Sequence, residues 1–553
     1  MMLRHSRVLA VSLLLPAAAC GDDTKGTTTD TTDTDTSTDV SDADDATEVD
    51  SDQPDTAVPV QPLAKIYRVD PLITPNLEEV ELEHLTSTDG SLRGSYANVR
   101  SCTPDAERGQ KVTLNIGIPL EITSCVPEAK AFPGADGTYR DIAPAASLAT
   151  DDGRFAEVMM YHHMQVVHDY FKDNFGLTDR DQPLEAVTNV QINVCNAWTM
   201  IANAAFFPAG SFEQLGLGLD FGIEGDSIIF SGSSKRNFSL DAAVIYHEYT
   251  HAMLGATRLS GVFPDKEGLN NLPGALNEAY ADYFAATITN QSAIGNFALN
   301  DFEGMKICGF EMGGGGNLAR DLENFRSCPG DLTAEVHADS EMFSSALWQI
   351  RKDLGATDAD KVVLQAVLTL TDTSDFQIAA AATIDAAEEL FGAEAKAKVE
   401  KAMADRGLID CERVLPIERI GVRGLDVTLE SPSSFQVNPY PGYAPGYLQY
   451  SFVVPEGTKK VTLTVTAAAG GGFGGGGSLN LEAALKPGVK PIRYSYGFTA
   501  GSAINDAALT LPVTSGKVSF GSEESPPEAG TWTFALHNKG DGASLSKVVA
   551  TFE

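Results

Sequence analysis

Across 553 residues there is no unbroken apolar run of the roughly 20 residues a helix needs to cross a bilayer. Basic side chains are scarce. Lys and Arg number 39 against 76 Asp and Glu, a net charge of −37, with no basic cluster on which a polyanion could sit, so nucleic acid is excluded as a partner. No two of the seven cysteines stand in CxxC spacing, which argues against a thiolate zinc cluster. Histidine is also rare, at nine residues, so any close grouping of histidines carries weight. What is plentiful is ordinary core material: 43% of the residues are hydrophobic, enough for two or three domains.

The first 20 residues, MMLRHSRVLAVSLLLPAAAC, have a basic start, a short apolar stretch from Val8 to Leu15 and small residues before a cysteine, the pattern of an export signal. Ala17-Ala18-Ala19-Cys20-Gly21 resembles a bacterial lipobox, which makes Cys20 the expected site of lipidation and a lipid the expected membrane attachment. Plain secretion is the alternative. Residues 21–60 hold 13 acidic residues, a single lysine and no aromatic, and are expected to form a disordered Thr/Asp-rich tether. With Cys20 set aside, six cysteines remain for oxidation in an exported chain. Short loops favour Cys102–Cys125 and Cys308–Cys328, leaving Cys195 and Cys411 as the third pair.

Residues 61–150 alternate in short runs such as VELEHL and KVTLNIGIPLEI, a β region. Helical spacing then runs over 154–175, whose His162, His163 and His168 read as packing or surface residues. Strand-like VQINVC and IIFSG follow, and a helix is expected over 239–254. From 274 to 405 helices dominate. Beyond Cys411, YLQYSFVVP, KVTLTVTAAA, GTWTFALHN and SKVVATFE are regularly spaced strand-like runs, the pattern of a sandwich over 427–553. The fold class expected is α+β, followed by an all-β domain.

Chemistry concentrates in VIYHEYTH, residues 244–251. On a helix, positions i and i+4 share a face, so His247 and His251 can present two imidazoles to one cation. Glu248, turned about 100° from His247, can address a water instead of the ion. A catalytic zinc needs a third protein ligand and an open position. In GALNEAYADYF, Glu278 and Asp282 are again four apart. Glu278 would complete a His-His-Glu site, and Asp282 could accept a hydrogen bond from the outer nitrogen of a ligand histidine. A metzincin would need histidine where Thr257 stands.

HEYTH, followed 27 residues later by the glutamate of NEAYADYF, resembles the thermolysin-type gluzincin peptidases; the long gap and TRLSG (257–261) look closer to their fungalysin branch. The resemblance covers about 151–412 and implies a two-lobed catalytic domain, with a β-containing N-lobe and a helical C-lobe. It implies one catalytic Zn2+, peptide or protein substrates, and Glu248 as general base. EVHADSEMFSSALWQIR resembles the segment that carries the family's catalytic histidine, which gives that role to His337. NAAFFPAG resembles the edge strand that binds substrate backbone, which assigns Asn203, Ala204 and Ala205 to substrate binding. Calcium is compatible with so acidic a chain, but no residue is singled out for it. The expectation is an exported zinc endopeptidase of the bacterial cell envelope. Its alternative is an inactive surface-binding or adhesion protein that keeps the fold.

Overall fold

The computed structural model describes residues 62–115, 119–211, 219, 221–255, 259, 272–308, 310–312, 316–332, 336–420, 427–429, 449–469, 479–492, 494–495, 503–504, 507–538 and 543–553. Cys20, the 21–60 tether and the glycine tract 470–477 lie outside them.

The N-terminal part is built on a five-stranded sheet. Its strands run in the order Ala204–Phe207, Ser227–Phe230, Leu184–Thr188, Ala97–Thr103 and Val126–Glu128. NAAFFPAG thus supplies an edge strand, antiparallel to Ser227–Phe230, with Ala204 opposite Phe230 and Ala205 opposite Ile229. A four-stranded sheet, Lys111–Asn115, Pro119–Ser124, Gln191–Val194 and Ala197–Met200, lies beside it in the chain.

Helix α1 (Arg154–Phe175) packs on the sheet and on helix α2 (Ala242–Leu254). AAVIYHEYTHAML is apolar nearly all round, and such a helix is stable only when enclosed. Among its 13 residues only His251 is not buried. The Asp241 carboxylate starts it, accepting from Ala243 N at 3.1 Å with one oxygen and from Phe297 N and Ala298 N at 3.1 and 3.0 Å with the other. Helix α3 (Leu272–Thr289) lies against α2, and helices α4 (Val336–Leu354), α5 (Ala356–Val367) and α6 (Phe376–Asp405) complete a helical region around α3. His163 of α1 is buried, with Nδ1 2.7 Å from the Tyr246 hydroxyl and Nε2 3.0 Å from Tyr67 O. It is a packing residue, as its surroundings in the sequence suggested.

After α6 the chain is β-rich. One sheet joins Val414–Pro416, Gln449–Val454, Gly530–Asn538, Leu481–Pro487 and Leu509–Pro512; another joins Val427–Leu429, Ala543–Phe552, Val461–Ala469 and Lys517–Phe520.

The disulfides correct the short-loop expectation. Cys102–Cys125 forms as expected, but Cys308 pairs with Cys195 and Cys328 with Cys411. Cys195 sits at φ 53° in the tight turn between Gln191–Val194 and Ala197–Met200, and Cys308 at φ 52° in the turn between Met305–Ile307 and Phe310–Met312. The bond therefore joins two hairpin tips.

Buried titratable groups give this fold an acid limit. Burial lowers His162 to about 4 and His163 to about 3 from the ordinary 6.5. The stability they contribute is full above pH 6.5 and is lost as pH falls through those lower values. Glu157 and Asp241, raised by burial to about 7, act in the opposite direction as pH falls from 7 toward their ordinary 4.5 and 3.8. The urea midpoint measured with a chelator present is therefore expected to stay nearly level from pH 7 to about 5. It should then drop below about 4.5, less steeply in His163→Gln; a steady decline from pH 7 would contradict this balance.

Candidate active site

Helices α2 and α3 bring the expected ligands together. His247 Nε2 lies 3.1 Å from His251 Nε2 and 3.1 Å from Glu278 Oε2, while His251 Nε2 is 3.7 Å from Glu278 Oε1. A tetrahedral zinc with bonds of about 2.0–2.1 Å spaces its ligand atoms by ~3.3 Å. The three distances bracket that spacing, and two imidazoles with one carboxylate are a donor set that zinc accepts. The same side chains form a cluster suited to a metal ion. The residues present fit the ion that the motif implies.

Both ligand imidazoles are held from behind. His247 Nδ1 stands 2.8 Å from Asp282 Oδ1, the contact expected of Asp282 from its i+4 position. Arg320 grips the same carboxylate with two bonds of 2.6 Å. Burial would raise the Asp282 carboxyl, but the Arg320 guanidinium, helped by His247, holds it at about 2. His251 Nδ1 is paired with the Asn277 side-chain oxygen, and the Asn277 amide donates to Leu259 O. Burial likewise opposes ionisation of Glu278, yet the surrounding His337, His251 and His247 keep it well below the usual carboxylate range. An ionised carboxylate at 6% exposure among imidazoles is a cradle for a cation.

Glu248, the helical neighbour of His247, is also buried, and its Oε2 accepts from Phe206 N at 2.9 Å. That bond ties the carboxylate to the edge strand, on which Ala204 and Ala205 also lie, with Asn203 directly before it. Asn203 O accepts from Ser231 N at 3.0 Å. His337, in the first turn of α4, reaches the site with Nε2 3.5 Å from Glu278 Oε2, and it is about one-third exposed. The Ser340 hydroxyl donates to His337 O at 2.7 Å and steadies that turn. His247, His251, Glu278, Asp282 and His337 thus stand together, with Glu248 the helical neighbour of His247, while Cys20 lies outside the described residues.

Three contributors were not foreseen. Asn277 stands directly before Glu278 in the quoted motif, and that adjacency was a usable signal. Arg320 follows Asp282 by 38 residues, in the two-residue strand Arg320–Asp321, and no periodicity marks it. The Phe206 contact is made by backbone and leaves no trace in residue identity.

Residues 268–408 match the family described as thermolysin metallopeptidase, alpha-helical domain. Over 281 residues the chain is 29% identical to the neutral protease NprE of Bacillus pumilus, covering 48% of this chain and 82% of that protein. It is also 29% identical over 281 residues to the bacillolysin of Bacillus subtilis, of which it spans 47%, about half the length. The precursor of protealysin, a metalloproteinase from Serratia proteamaculans, aligns with 59% of this chain and 91% of its own at 18% identity and a TM-score of 0.33, too loose a superposition to define the fold. With the His247–His251–Glu278 cluster beside it, the match across the helical region makes this part of the chain similar to the thermolysin-like zinc metallopeptidases.

Proposed function

We propose that this chain is an exported endopeptidase that cleaves extended peptide segments at the His247–His251–Glu278 centre. The observation that carries this reading is the convergence of the three ligand atoms with a fourth group, Glu248, that a purely structural metal site has no use for. Zinc bound there supplies a water acidified toward neutrality and a polarised scissile carbonyl. Glu248, oriented by Phe206 N, takes the proton of the attacking water and passes it to the leaving amine. His337 donates to the oxygen on which negative charge develops. Asp282 with Arg320, and Asn277, fix the two imidazoles so that neither has to reorient during turnover.

Substrate specificity begins at the edge strand, where Asn203, Ala204 and Ala205 would bind substrate backbone by strand addition. Residues 151–412 form the catalytic domain in this reading, preceded by the β region 61–150 and followed by a sandwich over 427–553. The segment EVHADSEMFSSALWQIR favours a place near the fungalysin branch. Residues 1–20 direct export, and lipid on Cys20 holds the enzyme at the cell envelope through the 21–60 tether.

Casein, an unstructured protein, is the direct test. The purified chain should cleave it, lose that activity in 1,10-phenanthroline and regain it on addition of zinc. A zinc-loaded chain that leaves casein and other unfolded proteins intact would favour a binding protein that has kept the peptidase fold.

A further inference from the structure

A second group of metal-ligating side chains lies away from the centre just described, where the chain after strand Glu78–Glu81 meets α1. Glu83, His84 and Asp169 each present one ligand atom, all within 4.8 Å of one another. His84 Nε2 is 3.2 Å from Asp169 Oδ2 and 3.8 Å from Glu83 Oε2. We propose that Glu83, His84 and Asp169 form a second binding site for a divalent transition ion, with zinc as the representative, open to solvent and separate from the catalytic ion.

The arrangement is held by more than the attraction of a histidine for two acids. The backbone of the 83–84 segment is pinned on two sides: the Tyr161 hydroxyl of α1 donates to Glu83 O at 2.8 Å, and Ser95 N, just before strand Ala97–Thr103, donates to His84 O at 2.9 Å. Gly94 makes that approach possible, since a Cβ there would stand 2.1 Å from the Tyr161 hydroxyl oxygen and 2.5 Å from His84 O. The His84 ring meets Tyr96 edge-on at 4.8 Å, and Tyr96 stacks on His168 at 3.5 Å. His168, fully enclosed, has Nδ1 2.9 Å from Asp169 Oδ1 and Nε2 3.0 Å from Asp181 Oδ1, so it orients Asp169 while the other oxygen faces His84. A ligand carboxylate steadied by a buried imidazole, and a ligand imidazole steadied by an aromatic ring, are the outer supports that metal sites use.

One imidazole with two carboxylates favours a transition ion over Ca2+, which takes all-oxygen cages. The partial exposure of all three side chains leaves room for solvent to complete the coordination. An ion here would tie residues 83–84 to α1 across 85 positions of sequence.

The test is zinc binding by the full chain, independent of any peptidase activity. Chain already carrying one equivalent of zinc is titrated calorimetrically with zinc chloride, alongside His84→Ala/Asp169→Asn and the milder Glu83→Gln. Wild type should take up a second equivalent, which the double variant loses and Glu83→Gln weakens by about tenfold or more, while casein cleavage by all three is the same. Saturation of wild type at one equivalent would overturn the proposal, because the contacts would then be an ordinary ion pair. So would a second equivalent persisting in both variants, because the ion would then be bound elsewhere. If the double variant is poorly folded, Glu83→Gln decides, since Glu83 is well exposed and its side chain makes no buried contact.

Discussion

Glu248→Gln is expected to keep a full equivalent of zinc while lowering casein cleavage about 10³-fold, ~4 kcal/mol of transition-state stabilisation. The reasoning is geometric. Glutamine has the same shape, and its amide oxygen can take over the bond from Phe206 N that Oε2 now accepts at 2.9 Å. The buried environment, the edge strand and the ligand triangle are therefore undisturbed, and what disappears is the ability to accept a proton. Removing a general base costs about 10²–10⁴ in rate. A variant that retains a tenth or more of wild-type turnover would remove Glu248 from the chemistry. A variant that loses its zinc would show instead that Glu248 helps bind the ion.

The second large effect belongs to Glu278→Ala. Deleting a carboxylate that stands 3.1 Å from one ligand nitrogen and 3.7 Å from the other leaves two imidazoles and solvent to hold the cation. Loss of an outer partner such as Asp282 lowers metal affinity by about 10–100-fold, and loss of a ligand is expected to exceed that. Dialysed Glu278→Ala should therefore contain little zinc. Because an ion that binds only the folded chain stabilises it by an amount that grows with the logarithm of its free concentration over its Kd, the variant should also show no further change in melting temperature when chelator is added, whereas wild type melts lower. If Glu278→Ala keeps stoichiometric zinc after dialysis, the His-His-Glu assignment is wrong.

These two residues were legible because helical periodicity is local. His247 and His251 share a face by arithmetic alone, and so do Glu278 and Asp282. The enclosure of α2 fits AAVIYHEYTHAML, which is apolar nearly all round. The strand Ala204–Phe207 was legible through the resemblance of NAAFFPAG to the family's edge strand.

What escaped depends on where distant parts of the chain meet. Arg320 neutralises Asp282 from a two-residue strand paired with Ala293–Ile294, and nothing in its own neighbourhood announces that. The disulfides failed for the same reason. Nearness in sequence favoured Cys308–Cys328, separated by 20 positions, but the tips of two hairpins place Cys195 and Cys308 with their Cα atoms 5.3 Å apart, and Cys328 bonds across 83 positions to Cys411. Loop-closure cost grows only slowly with length, so it is a weak guide to pairing once tertiary contacts decide.

The central claim is that two helices deliver three side chains to one ion. An anomalous difference map from crystals of the zinc-loaded chain, recorded on either side of the zinc absorption edge, tests it directly. The account predicts the strongest peak at about 2.0–2.2 Å from His247 Nε2, His251 Nε2 and a carboxylate oxygen of Glu278, with Glu248 beside the peak but not bonded to it. A strongest peak that lies elsewhere, or one that is coordinated by the two histidines with Glu278 turned away, would contradict it.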